Sequence, residues 1–141
     1  MVTSRQKVLV QESFTSLAPA LDDVMVLFYG RLFEIDPVVR QMFPHDMTAQ
    51  RRKLAQMLGA AVKGLDRLDQ LVPVLEDLGR RHARYGVMEQ QYDTVGAALL
   101  WTLEKGLGSG FTPELQDAWA AVYGVVATVM KNAARTAVAA A

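Results

Sequence analysis

Apolar residues recur along this chain every three to four positions, and no stretch alternates apolar and polar with a period of two. The clearest stripe is Leu71, Leu75, Leu78 and His82, spaced i, i+4, i+7 and i+11, with Glu76, Asp77 and Arg80 on the opposite side. A histidine therefore continues a leucine face into the core, just before Tyr85-Gly86 ends the helix. Upstream, residues 2–17 predict a first helix with Ser4 as cap, and Pro19 either stops it or opens the next helix. Residues 20–35 predict a second. Val24 to Tyr29 is apolar on nearly every side, with only a narrow strip of Asp23, Gly30 and Glu34, so this helix should be buried between neighbours. Asp36-Pro37 restarts the chain with aspartate as cap, and the turn that follows ends at Met42-Phe43-Pro44. Phe43 then lies at a helix-to-loop corner. Thr48 or Ala49 opens a helix whose stripe is Gln50, Leu54, Met57 and Ala61, and Gly64 closes it. Residues 66–70 read as a connector, and Pro73 falls in the first turn of the His82 helix. Residues 88–107 predict a long helix with Tyr92, Gly96, Leu99 and Leu103 on one face and Trp101 on the other. Thr112-Pro113-Glu114 starts the last helix, carried inward by Leu115, Trp119, Val122, Val126 and Val129. After Arg135 the alanine-rich tail is expected to fray. The expectation is an all-α chain.

Composition narrows this further. A length of 141 residues suits one domain spanning 1–141, and 51% apolar content is enough for a real core. Fifteen basic residues balance fifteen acidic ones, which argues against nucleic acid or an anionic membrane as partner. Cysteine is absent, so there are no disulfides and no Cys-x-x-Cys-His for covalent haem attachment. No signal core and no membrane-length apolar run are present, so a cytoplasmic location is expected.

Three polar residues stand on or beside apolar stripes and invite chemistry. His82 is either a core histidine satisfied by a nearby carbonyl or a metal ligand. One histidine cannot hold zinc, which takes three or four ligands, but it suffices for haem, where the macrocycle supplies the in-plane set. Tyr29 sits at the edge of the stripe Leu21, Met25, Phe28 and Leu32, so its hydroxyl needs an interior partner, a backbone carbonyl or a ligand. Gln50 heads an apolar face. Its amide either finds a partner inside or turns to water at the first turn of its helix. His45 has no apolar stripe beneath it and reads as a solvated loop residue.

Several of these positions occur together in a known pattern. Phe28-Tyr29 precedes Leu32-Phe33, and Pro37-x-Val39-Arg40-x-x-Phe43 follows. Gln50 and Leu54 come next, then Arg81-His82 with Gly86-Val87, Tyr92 with Val95-Gly96, Ala118-Trp119 and Tyr123-Gly124-Val125. At these spacings the chain resembles bacterial single-domain globins of the flavohaemoglobin and Vitreoscilla-haemoglobin lineage, from the first helix to about Asn132. Gly79-Arg80-Arg81-His82 and the Tyr29/Gln50 pair also resemble globins of acidophilic, methane-oxidising bacteria. The resemblance implies a globin fold, a three-over-three helical sandwich around non-covalent haem b. His82 would bind the iron, with its other ring nitrogen donating to a carbonyl near Leu78. Phe43 would wedge the haem, and Leu54, Leu78, Val87, Tyr92 and Val95 would line its pocket. Tyr29 and Gln50 would each donate to bound O2, adding roughly 1–3 kcal/mol apiece and slowing its release. Lys53 and Arg81 would pair with the haem propionates. One departure matters. The family places a glutamate late in the last helix, joined to the tyrosine matching Tyr92, and here that position is Ala134. Strong electronic push from the histidine, and peroxidase-like behaviour with it, is therefore not expected.

The resemblance implies reversible binding of O2, CO and NO. It also admits a nitric oxide dioxygenase with Tyr29 and Gln50 in the catalytic site, which would need a separate reductase because 141 residues leave no room for a flavin domain. A gas sensor acting through a protein partner is a third reading. Without haem, the same pattern would be a colourless helical interaction domain with an apolar groove. Trp101 on a polar helix face suggests a weak homodimer, the alternative being a monomer.

Overall fold

The computed structural model describes residues 2–140, with side chains through residue 136. Six α-helices follow one another: α1 (Ser4–Leu17), α2 (Leu21–Ile35), α3 (Thr48–Lys63), α4 (Leu68–Arg84), α5 (Glu89–Leu107) and α6 (Pro113–Ala140). Single 3-10 turns at Ala18–Ala20, Pro37–Met42, Gly64–Arg67 and Gly108–Gly110 join them, and there is no strand among the described residues.

Most helix starts follow from local chemistry. The cap of α1 is Thr3, not Ser4. Thr3 Oγ1 accepts from the Gln6 amide at 3.1 Å, and the Gln6 side chain accepts from the Thr3 amide at 3.0 Å. Only a cap at residue 3 places Gln6 where it can complete this reciprocal pair. Asp36 caps nothing with its side chain, and the segment after Pro37 winds as 3-10 rather than α-helix. The Asp46 carboxylate accepts from the Thr48 amide at 3.0 Å and so starts α3. Pro113 and Glu114 open α6 as expected, with Thr112 Oγ1 accepting from the Leu115 amide at 3.2 Å.

Three further expectations need correction. The connector before α4 contracts to the 3-10 turn, so α4 begins at Leu68 and Pro73 lies inside the helix rather than in its first turn. The carbonyl left without a helical donor belongs to Asp69, which is exposed beside the equally exposed Pro73, where water can serve it. Next, α2 is not covered on every side. Val26 is 50% and Leu27 41% exposed, because α5 and α3 pack only against the face that holds Met25, Phe28 and Leu32. Finally, α6 continues to Ala140 instead of fraying after Arg135, as alanine, the strongest helix former, allows.

The principal packings are α4 on α6, α2 on α5 and α1 on α6. Two glycines permit close approaches. A Cβ at Gly79 would lie 2.3 Å from the Met130 carbonyl oxygen, and one at Gly96 would lie 2.8 Å from the Tyr123 ring. Trp119 is buried at the centre, its indole N–H donating to Ser13 Oγ at 2.9 Å while Ser13 donates to the Val10 carbonyl. Trp101 is half-buried, with the Arg31 guanidinium 5.1 Å and the Lys105 ammonium 5.6 Å from its ring centroid.

Candidate functional site

The leucine stripe of α4 delivers His82 to the wall of a cavity of about 190 Å³. The lining is apolar apart from the polar atoms of His82, Gln91, Trp119 and two tyrosines. His82 Nδ1 lies 2.8 Å from the Leu78 carbonyl one turn back. That carbonyl can only accept, so Nδ1 carries the proton and Nε2 is the nitrogen left for a ligand. Burial pushes the His82 pKa down, the Leu78 carbonyl opposes this, and the Arg81 charge adds to the lowering. The ring is thus held neutral, the form that binds metals.

Of the residues singled out from the sequence, His82, Leu54, Leu78, Val87, Tyr92 and Val95 line this cavity. Tyr29, Phe43 and Gln50 form an adjoining cluster, joined to the cavity through Phe28, which lines it and lies edge-on to Tyr29 at 5.1 Å between centroids. Gln50 Nε2 donates to the Tyr29 hydroxyl at 3.1 Å. Phe43 meets the Tyr29 ring edge-on at 5.5 Å. Burial raises the Tyr29 pKa and the Gln50 hydrogen bond opposes that rise, so the phenol keeps its proton. Lys53 is exposed on α3. Arg81 is half-buried, its Nε 3.1 Å from Asp77 Oδ2. His45 is exposed in its loop.

Tyr92 behaves differently. Its ring centroid is 6.4 Å from that of His82, and its buried hydroxyl has no hydrogen-bond partner among the described residues. Its backbone carbonyl accepts from the Tyr123 hydroxyl at 2.6 Å. Burial, with the Tyr92 and Asp93 charges adding, raises the Tyr123 pKa well above the ordinary tyrosine range. Ala134 on α6 has no polar side-chain atom to offer the Tyr92 hydroxyl.

Arg40, within the motif Pro37-x-Val39-Arg40-x-x-Phe43, has a role that the sequence pattern does not reveal. Its guanidinium donates to the carbonyls of Phe43, Pro44 and His45, at 3.2, 2.9 and 3.0 Å. The arginine three residues before Phe43 was the available signal, yet its direction depends on the 3-10 winding of the turn.

No cluster of three or more metal-binding side chains occurs among the described residues. A single neutral imidazole on an apolar cavity suits a metal whose other ligands arrive with a macrocycle. The globin family model matches residues 26–130. This chain belongs to the globin family. It is 32% identical to the neuroglobin of Tetraodon nigroviridis, over 93% of this chain and 91% of that protein. It is 33% identical to the flavohemoprotein of Bacillus subtilis, over 71% of this chain but 26% of that longer protein. Among solved structures, an engineered carbene transferase from a nitric oxide dioxygenase-like protein of Rhodothermus marinus superposes with a TM-score of 0.89. Its identity is 25%, over 99% of this chain and 98% of that one. A bacterial globin from Campylobacter jejuni shares the fold at a TM-score of 0.83 and 24% identity, over 95% of this chain and 97% of that one. The all-α globin fold is therefore established, and with it a haem-iron protein that binds gaseous ligands. No helix among the described residues is long and apolar enough to cross a membrane.

Proposed function

We propose that this globin binds O2, CO and NO reversibly at a non-covalent haem b held by His82, as one domain over residues 1–141, in the cytoplasm. The single observation that carries the reading is the neutral His82 imidazole, tied to the Leu78 carbonyl at 2.8 Å and standing on an apolar cavity. When bound, haem iron supplies the point at which a diatomic gas attaches. The chain's own residues do the rest. His82 presents Nε2, and its tautomer is held by α4 itself. Leu54, Leu78, Val87 and Val95 keep water from the cavity. Tyr29 presents a phenolic O–H to the ligand. Gln50 donates to the Tyr29 oxygen, which leaves the tyrosine hydrogen free to point at a gas. The two act as a relay rather than as independent donors, and a chain of hydrogen bonds polarises its members. Phe43 backs the Tyr29 ring. Lys53 is the candidate for a haem propionate, Arg81 being joined to Asp77.

The test is an absorption spectrum, ferric, then reduced, then under CO, for wild type and His82→Ala. The reading expects a Soret band that moves at each step and is lost or altered in the variant. A colourless wild type that takes up no haem, or an unchanged variant, refutes it.

A second reading, nitric oxide dioxygenation, is favoured by the likeness to the Rhodothermus marinus protein and to the flavohemoprotein. It combines NO, O2 and one electron into nitrate, so a separate reductase has to supply the electron. NO consumption with a generic flavin reductase, compared with the O2 release rate, decides between the two.

A further inference from the structure

Arg40 ties together both halves of the distal cluster. Its Nη1 donates to the carbonyls of Phe43 and Pro44, and its Nη2 donates to that of His45. Three successive carbonyls in a loop are thus held by one planar, pre-organised group, which defines the course of the backbone as a single bond would not. Its Cζ also lies 5.2 Å from the centroid of the Phe33 ring.

Phe33 and Phe43 are two corners of an aromatic triangle whose third corner is Tyr29. The centroid distances are 5.7 Å for Phe33–Phe43, 5.9 Å for Tyr29–Phe33 and 5.5 Å for Tyr29–Phe43. Arg40 touches one of these rings directly and fixes the backbone of the other. On its far side, the clamped loop runs into Asp46, whose carboxylate starts α3 at Thr48, two residues before Gln50. The guanidinium therefore constrains Tyr29 through the rings and Gln50 through the loop.

We propose that Arg40 is a positioning residue for the distal site. By clamping the 43–45 corner it sets the Tyr29–Gln50 hydrogen bond and so aims the Tyr29 hydroxyl at a bound gas. The proposal rests on the reading that Tyr29 donates to that gas.

The experiment uses haem-loaded protein carrying Arg40→Met, which keeps a stem over Phe33 but no donors, and Arg40→Lys, which keeps the charge but not the fork. Tyr29→Phe is the reference. O2 and CO release rates are measured, with the C–O stretching frequency, which responds to a donor aimed at the ligand. In haem-free protein, amide hydrogen exchange is followed over residues 43–47. Arg40→Met and Arg40→Lys should each speed O2 release by about tenfold, the effect of losing one well-aimed hydrogen bond. CO release should change little, and the C–O stretch should move toward that of Tyr29→Phe. Exchange over 43–47 should rise even without haem. A purely structural Arg40 would lower the melting temperature while leaving the O2-to-CO release ratio and the C–O stretch at wild-type values. With Tyr29→Phe responsive, that result overturns this proposal alone. An unresponsive Tyr29→Phe overturns both this proposal and the distal reading beneath it. If Arg40→Met fails to fold, Arg40→Lys is judged by the same criteria.

Discussion

A methyl group added at Gly79 should loosen the packing that carries the histidine. An ideal Cβ there lies 2.3 Å from the Met130 carbonyl oxygen, 2.7 Å from its Cα and 2.8 Å from its carbonyl carbon. All three are backbone atoms of α6, so no rotamer change relieves the clash. Reaching an ordinary contact takes an opening of about 1 Å between α4 and α6, the most extensively packed helix pair of the fold. Overpacking of this kind costs about 1–3 kcal/mol, and a backbone clash belongs at the upper end. Alanine's better helix propensity offsets about 1 kcal/mol of that. The net loss is then about 2 kcal/mol, or about 7 °C of melting temperature for a chain of this size. Gly30 is the control, because no heavy atom lies within 4 Å of a Cβ built there. In the middle of α2, Gly30→Ala should therefore stabilise by about 0.5–1 kcal/mol. Denaturant titration of the haem-free proteins, followed by helical circular dichroism, measures both. His82 lies three residues beyond Gly79, so Gly79→Ala should also lose haem faster to a scavenging apoglobin. If Gly79→Ala stays within about 0.5 kcal/mol of wild type while Gly30→Ala is stabilised, α4 and α6 do not approach as closely as argued.

The relay through Tyr29 makes an ordered prediction. Tyr29→Phe should speed O2 release by about 10- to 100-fold, since one donor to a partly charged ligand is worth roughly 1–3 kcal/mol. Gln50→Leu should have the smaller effect, because Gln50 donates to the tyrosine oxygen; stopped-flow release rates in which Gln50→Leu matches or exceeds Tyr29→Phe would break the relay. One helical turn before Tyr92, Arg135 on α6 binds Glu89 at the start of α5 and holds its carboxyl below the usual glutamate value. A lowered folded-state pKa means the pair contributes above the unfolded value of 4.5 and its contribution is lost as pH falls through the folded value. Arg135→Ala should return the Glu89 titration, followed by carboxyl NMR, to the ordinary range, and an unmoved titration would assign the shift to another cause.

The parts of the site that could be read from the sequence are those set by a single helix. His82, Tyr29 and Gln50 share one property there: each is a polar residue on or beside an apolar stripe, so each needs a partner that the stripe itself cannot supply. Two solutions serve all three, and both are short-range in space. His82 finds a carbonyl of its own helix, and Tyr29 and Gln50 find each other across two neighbouring helices. The parts that could not be read depend on how helices cross. Nothing local distinguishes Gly79, which lies against the α6 backbone, from Gly30, which faces open space, although both stand inside apolar helices. Ser13 on α1 has its role set by Trp119, 106 positions away, which donates to it. The exposed Val26 and Leu27 fail in the opposite sense, for apolar content marks a face as able to be buried and only the neighbouring helices decide whether it is. Arg40 lies between these cases. Its carbonyl partners are three to five residues away, close enough to suggest from sequence, but its guanidinium also lies 5.2 Å from the centroid of the Phe33 ring on α2, a contact set by how the 3-10 turn at Pro37–Met42 packs back on that helix. A local sequence therefore shapes the distal corner, while the packing of α4 on α6, made possible by Gly79, sets how far the histidine stands from it.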